Sequence, residues 1–137
     1  MRIMGIDYGT KRIGISLSDE LCMMAHAHDS VYCEEPARDI ERIKTIVGDN
    51  GVTEIVVGLP ISMDGTHSDK TRETIAFIDR LKAAVSVTVN SWDERLTSVM
   101  AERTLLEADM SRGKRRQLSD KLAAKFILQG YLDSKRR

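Results

Sequence analysis

Cysteine, proline and aromatic residues are scarce in this sequence of 137 residues, which contains 2 Cys and 2 Pro and is only 4% aromatic. Cys22 and Cys33 lie eleven residues apart, with no C-x-x-C motif, and the three histidines show no ligand spacing. This arrangement argues against a zinc site and predicts two free thiols in a reducing cytosol.

The sequence also lacks long apolar segments. No run of about 18 uncharged apolar residues is present, so we expect no membrane span. The N-terminal residues enter a strand pattern without the basic and then apolar segments of a signal peptide, and we expect a cytoplasmic protein. No internal repeat, linker or low-complexity segment is visible, and the length is typical of one domain, which we expect to span residues 1–137.

Net charge is absent as well, since 21 Lys and Arg balance 21 Asp and Glu. The two signs are nevertheless separated along the chain. Residues 1–111 hold 12 basic against 19 acidic residues, whereas residues 112–137 hold 9 against 2. A basic segment beside an acidic body is typical of a surface that binds a polyanion, but it is equally typical of a solvated helix with a frayed basic end.

Apolar periodicity predicts the strands and the fold class. The strands are expected near residues 2–7, 12–18, 26–33, 54–60 and 85–89, with the first two forming a hairpin. Three strands followed by alternating helices and strands predict an α/β fold. Its mixed sheet of about five strands should be covered by helices on both faces.

Helical spacing predicts four helices. The first contains Ile40 and ends before Asn50, and the second contains Ile75 and is capped by Ser68. Two further helices are expected at residues 98–109 and 120–133, with a polar, basic loop between them.

Acidic residues from three parts of the chain are expected at one edge of the sheet. Asp7 ends the first strand, and Asp93 and Glu94 follow the last one. The carboxyl ends of neighbouring parallel strands meet at one edge, where sites form in open α/β sheets. Asp120 joins them from the last helix, because its spacing to Ala124 puts it on the face that carries core residues.

Each acid also has a purely structural interpretation. Asp120 can cap its helix, and Asp93 with Glu94 can form a polar turn. Asp7 is harder to explain in this way, because a carboxylate ending a buried strand costs free energy unless it is paired, hydrogen-bonded or bound to metal. Clustered carboxylates without His or Cys suit a hard cation such as Mg²⁺ or Mn²⁺. Two such ions hydrolyse phosphodiesters by activating water and stabilising the leaving oxygen.

Four segments resemble the YqgF/RuvX family of Holliday-junction resolvase-like proteins, which are also named pre-16S rRNA nucleases. They are GIDYGTKRIGISLSD (5–19), IVVGLPISMDGT (55–66), DERLTS (93–98) and SDKLAAKFILQGYLD (119–133), and they occur in family order. Two positions depart from the family pattern: Ser62 stands where Asn is frequent, and Ser119 where an apolar residue is usual. The second departure strengthens the capping interpretation of Asp120.

The resemblance implies an RNase H-like fold and a cytoplasmic, metal-dependent nuclease that matures the 5′ end of small-subunit ribosomal RNA. By position, the family's acidic triad falls on Asp7, Glu94 and Asp120, as catalytic residues and as ligands of Mg²⁺ or Mn²⁺. Asp93 is open as a further metal ligand.

Six basic residues are candidates for binding nucleic-acid phosphates: Lys11, Arg12, Arg95, Lys114, Arg115 and Arg116. The first two lie in the hairpin after Asp7, where a solvated turn is an equally good interpretation. Arg95 adjoins Glu94 and carries a bidentate guanidinium that suits a phosphate. The last three lie in the expected basic loop, from which a bound strand would lead towards the metals.

The sequence leaves several functions open. The favoured one is a metal-dependent endonuclease acting on structured RNA, and the alternative is a resolvase of branched DNA. A resolvase would be a homodimer that makes paired cuts, whereas a monomer suffices for RNA processing. A non-catalytic nucleic-acid-binding module is disfavoured because all three acids are present. A fragment of a sugar-kinase or actin-like ATPase shares the DYGT loop but needs a second lobe and a second phosphate loop.

Overall fold

The computed structural model describes residues 1–62, 64–96 and 112–135, and all of their side chains except those of 96 and 112–121. These residues form five strands, β1 (Arg2–Asp7), β2 (Arg12–Ser18), β3 (Ala25–Tyr32), β4 (Val52–Leu59) and β5 (Thr88–Asp93). Their helices are α1 (Pro36–Asp49), α2 (Asp69–Ala84) and α3 (Arg112–Lys135), and a short 3₁₀ turn, Glu94–Leu96, follows β5. Among the described helices, none has the length and apolar character to cross a membrane.

The strands form one mixed sheet in the order β3-β2-β1-β4-β5. The hairpin β1–β2 and the pair β2–β3 are antiparallel. Strands β1, β4 and β5 run parallel to one another, with Met4 paired to Ile55 and Ile55 paired to Val89. The carboxyl ends of these three strands therefore lie at one edge of the sheet, as the element order predicts.

Helices cover both faces of the sheet, which confirms the predicted layers. Helices α1 and α2 pack on one face through a core that includes Met4, Ile6, Ile43, Phe77 and Leu81. Helix α3 packs on the other face, where Ile127 and Leu128 lie against Ile3 and Val56. The alternation of side chains along β1 thus assigns its odd-numbered residues to the α3 face and its even-numbered residues to the other.

Two predicted elements differ from the observed ones. Strand β5 begins at Thr88 and not at residue 85, because the Val85 N–H still donates to the Leu81 carbonyl at the end of α2. Helix α3 begins at Arg112, so the predicted basic loop before residue 120 is wrong. Arg, Lys, Gln and Leu are good helix formers, and a single Gly113 costs only about 1 kcal/mol in a helix. The helix predicted at residues 98–109 lies outside the described residues.

Helix α3 lies close against the sheet at Gly5. A Cβ at Gly5 would lie 2.7 Å from the Leu128 Cβ and 2.9 Å from the Ala124 carbonyl oxygen. The same carbonyl accepts a hydrogen bond of 2.7 Å from the Ser16 hydroxyl on the adjacent strand. The missing side chain at Gly5 therefore lets the helix backbone contact the sheet directly.

The C-terminal end of α3 is attached to the opposite edge of the sheet through Glu54 in β4. The Glu54 carboxylate accepts hydrogen bonds from the Tyr131 hydroxyl, from Asn90 Nδ2 at 3.0 Å and from Lys135 Nζ at 3.0 Å. Burial raises the pKa of Glu54, but these donors outweigh it and hold the pKa below its ordinary value. Glu54 and Lys135 thus attach the end of α3 to the starts of the parallel strands.

Substitution of Gly5 should disrupt the packing of α3 on the sheet. Gly5→Ala places a Cβ against backbone and a β-carbon, which cannot move away as the tip of a side chain can. We expect a loss of about 1–3 kcal/mol in the free energy of unfolding, measured by chemical denaturation. Gly48→Ala is the matched control, since no atom lies within 4 Å of its added Cβ. It should be stabilising by up to about 1 kcal/mol in helix α1. Equal stability of Gly5→Ala and wild type would contradict the close packing.

The lowered pKa of Glu54 predicts a specific dependence of stability on pH. A carboxyl whose pKa is lower in the folded state stabilises the fold above its unfolded pKa, and this contribution disappears as pH falls through the folded value. We expect Glu54→Gln to cost about 1–2 kcal/mol at pH 7, through loss of charge-assisted hydrogen bonds. Below about pH 4, where the unfolded carboxyl is protonated, the difference from wild type should shrink. Denaturation curves at pH 3–7 measure it, with Glu73→Gln, an exposed residue of α2, as control. A difference independent of pH would contradict the assignment.

Candidate active site

Asp7 lies at the carboxyl end of β1 and is only 7% exposed. Ile6 is paired with Val57, so Asp7 is level with Gly58 on the neighbouring parallel strand. Alternation along β1 puts Asp7 on the same face as Ile3 and Gly5, which is the face covered by α3. The Asp7 carboxylate is therefore a buried group between the sheet edge and this helix.

Glu94 is the first residue of the 3₁₀ turn after β5 and is 3% exposed. A Cβ at Gly58 would lie 3.4 Å from the Glu94 carboxyl carbon, and it would also collide with Ile127 of α3. Gly58 thus leaves the space in which the Glu94 carboxyl and α3 both meet the sheet. Two buried carboxyls, of Asp7 and Glu94, consequently lie on one face and at one edge of the sheet.

Asp120 lies within α3, one turn before Ala124. Since the helix begins at Arg112, Asp120 is not at its N-terminus, and the capping interpretation of this residue is wrong. Helix α3 runs from the carboxyl edge of the parallel strands towards Glu54 at the start of β4. Ala124 contacts Gly5, and one helical turn before it covers about 6 Å, as do two strand residues beyond Gly5. The backbone of α3 therefore reaches the level of Asp7 near Asp120.

Asp93 and Arg95, on either side of Glu94, form an ion pair. Arg95 Nε donates to both carboxylate oxygens of Asp93, at 3.1 and 3.0 Å, and Nη2 donates to Oδ2 at 2.7 Å. The Arg95 backbone N–H also donates to Asp93 Oδ1 at 2.9 Å. The Arg95 guanidinium lowers the pKa of Asp93, although partial burial opposes this. Asp93, a candidate metal ligand, and Arg95, a candidate phosphate contact, are thus paired with each other.

The other candidate phosphate contacts lie in two places. Lys11 is exposed in the turn between β1 and β2, and Arg12 is the first residue of β2. Lys114, Arg115 and Arg116 lie in the first turns of α3 rather than in a loop. The first segment follows the carboxyl end of β1 in sequence. The second precedes Asp120 in the same helix.

Two features of this site were not predicted, the space above Gly58 and the Asp93–Arg95 pair. The spacing D-x-R at the end of a strand is a signal for the pair, but the role of Gly58 depends on a helix far away in sequence. Among the side chains that the structure describes, which do not include that of Asp120, no group of three or more His, Cys, Asp or Glu is arranged as a metal site.

Comparison with known sequences identifies relatives along the whole chain. The sequence model of the family described as "RuvX: Holliday junction resolvase" matches residues 1–134. A protein of Halothermothrix orenii, named "Putative pre-16S rRNA nuclease", is 47% identical over 133 residues, which cover 97% of this chain and 95% of the relative. A protein of Myxococcus xanthus with the same name is 45% identical over 136 residues, covering 99% of this chain and 90% of the relative.

Comparison with solved structures identifies the fold. RuvC of T. thermophilus, in complex with a Holliday junction substrate, superposes with a TM-score of 0.60 at 14% identity, covering 99% of this chain and 96% of RuvC. The Fowlpox virus resolvase bound to Holliday junction DNA gives a TM-score of 0.57 at 12% identity, with 100% of both chains covered. At these identities the likeness establishes the fold, and the expected RNase H-like fold is confirmed. By the match of its sequence over residues 1–134, the chain belongs to the RuvX family.

Proposed function

We propose that this protein is a metal-dependent endonuclease that hydrolyses phosphodiester bonds in nucleic acid. The observation that carries the proposal is the burial of Asp7 and Glu94, 7% and 3% exposed, on one face and at one edge of the sheet. Two carboxylates of like charge repel each other when they are buried at one edge of the sheet. A bound cation relieves this repulsion, which makes a cation site the natural use of the arrangement.

The donor set fits a hard divalent cation. Asp7, Glu94 and Asp120 supply only carboxylate oxygens, which Mg²⁺ and Mn²⁺ prefer, and contribute no His or Cys. The absence of a side chain at Gly58 keeps space beside the Glu94 carboxyl. Bound at these residues, such ions supply an activated water and stabilise the charge on the leaving oxygen.

The protein residues then act by position. Asp7 is the last residue of β1, and Glu94 begins the turn directly after β5, so both are placed by strands of the central sheet. Asp120 lies on α3, and the packing of α3 on Gly5 fixes the distance between the helix and the sheet. Lys11 and Arg12 on one side and the basic turns of α3 on the other hold the phosphates of the substrate strand, and their positive charge attracts it over the acidic body.

We propose structured RNA at the 5′ end of pre-16S rRNA as the substrate. Relatives that are 43–47% identical along nearly the whole chain carry the name of a pre-16S rRNA nuclease. A branched DNA junction is the second candidate, because structures of similar fold are Holliday junction resolvases with DNA bound. The first candidate is favoured since the resolvases share only 12–14% identity with this chain.

Removal of any one acid should abolish cleavage. We expect Asp7→Asn, Glu94→Gln and Asp120→Asn each to reduce the rate at least about 100-fold, because loss of a metal ligand exceeds the 10–100-fold cost of disturbing its outer shell. Double variants should be no worse than single ones, since the three act as a unit. The assay uses labelled pre-16S 5′ leader RNA and a four-way DNA junction, each with Mn²⁺, Mg²⁺ or EDTA.

Asp79→Asn is the control for these variants, since Asp79 is exposed on α2. It should cleave like wild type, and thermal melts should show that all variants are folded. Cleavage of the junction but not of the RNA would replace the first substrate by the second. Cleavage that persists in EDTA, or in the Asp7→Asn variant, would contradict the proposed chemistry.

A further inference from the structure

Asp93 and Arg95 bind each other across Glu94, which lies between them in sequence. The Asp93 carboxylate accepts the Arg95 backbone N–H at 2.9 Å, so it closes the 3₁₀ turn whose first residue is Glu94. The same carboxylate receives the Arg95 guanidinium through Nε and Nη2. The backbone on both sides of Glu94 is therefore fixed by one side-chain interaction that joins the end of β5 to the turn.

Arg95 extends this structure to the loop after β4. Its Nη1 donates to the Ser62 carbonyl at 3.4 Å, and a Cβ at Gly65 would lie 3.6 Å from Nη1. The loop is itself ordered by hydrogen bonds from Gly65 N to Ser62 O at 2.8 Å and from Ser62 N to Thr66 O at 3.1 Å. Gly65 adopts φ +86°, a backbone conformation that is strained for any residue with a side chain. Arg95 thus joins the turn of Glu94 to a second, internally bonded loop at the same edge.

The guanidinium of Arg95 is largely used by these contacts. Two of its nitrogens face the Asp93 carboxylate and the third faces the Ser62 carbonyl. The Arg95 side chain is 32% exposed and that of Asp93 22%, so the pair is partly shielded from solvent. A bidentate phosphate contact through Nε and Nη2 would require the guanidinium to release the Asp93 carboxylate.

We propose that Asp93 and Arg95 are positioning residues: their pair holds the turn of Glu94 against the loop after β4, so that the Glu94 carboxylate stays in the space beside Gly58. This inference rests on the proposed metal site. It replaces the sequence-based expectation that Arg95 contacts phosphate, and it leaves Asp93 outside the metal ligands. Outer residues that orient metal ligands commonly change metal affinity or activity 10–100-fold when they are removed.

The test compares Asp93→Ala, Arg95→Ala and Arg95→Lys with the double Ala variant. We expect each single variant to raise the Mn²⁺ dissociation constant about 10–100-fold, measured by calorimetry without substrate, and to lower kcat with little change in KM. The double variant should be little worse than Asp93→Ala, because the two side chains act together; Arg95→Ala keeps the backbone hydrogen bond to Asp93 and should have the smaller effect of the two. Arg95→Lys should resemble Arg95→Ala, since an ammonium cannot replace the planar fork.

Arg42→Ala is the matched control. Arg42 also donates to a backbone carbonyl, that of Tyr32 at 2.8 Å, and lies 3.9 Å from a carboxylate, that of Glu34, but it belongs to α1. It should leave metal affinity and kcat unchanged. Hydrogen exchange at Gly65 and Thr66 should accelerate in the Arg95 variants and not in Arg42→Ala, which reports the loop directly whether or not cleavage occurs.

Three results would overturn the positioning role. Unchanged Mn²⁺ affinity in Asp93→Ala, with wild-type binding intact, would refute it while leaving the nuclease proposal untouched. A raised KM and a flatter salt dependence in Arg95→Ala, largely rescued by Arg95→Lys, would show a phosphate contact instead. Absence of Mn²⁺ binding and of cleavage in the wild-type protein would refute the nuclease proposal itself, and the positioning role with it.

Discussion

The close contact of α3 with the sheet at Gly5 and Gly58 is the constraint on which the rest of the structure depends. A Cβ at either position would collide with α3, at Leu128 Cβ and the Ala124 carbonyl in one case and at the Ile127 side chain in the other. The same two glycines lie on strands whose carboxyl ends carry the edge with Asp7 and Glu94. The packing of α3 and the placement of the Glu94 carboxyl therefore depend on the same space above Gly58.

The helix is held near its middle and at its C-terminal end by polar contacts of different kinds. Near its middle, the Ser16 hydroxyl reaches the Ala124 carbonyl, and at its C-terminal end Tyr131 and Lys135 bind Glu54. Glu54 lies at the starts of the parallel strands, opposite the edge that carries Asp7. The paired carboxylate of Glu54 thus stabilises the fold at the edge opposite the proposed site.

The sequence predicts those parts that local pattern decides and misses those that distant contacts decide. Strands β1 and β2 were predicted at their observed bounds because their apolar residues alternate or run continuously. Strand β5 was misplaced because only Val89 in it is buried, and its bounds follow from pairing with β4. The start of α3 was missed because its basic residues carry no apolar period. The roles of Gly5, Gly58 and the Asp93–Arg95 pair arise only when the chain is folded.

A divalent cation at the proposed site should stabilise the folded protein, and the stability of Asp7→Asn with and without metal tests whether the buried carboxylates hold it. Thermal melts of wild type and Asp7→Asn in EDTA measure the effect of the substitution on the metal-free fold. Melts across a Mn²⁺ titration measure its effect on stabilisation by the metal. The account predicts that wild type gains about 2.7 kcal/mol at 100 times the dissociation constant. Asp7→Asn should equal or exceed wild type in EDTA, because repulsion is relieved, and should lose most of the gain. A less stable Asp7→Asn in EDTA with an undiminished response to Mn²⁺ would contradict the account.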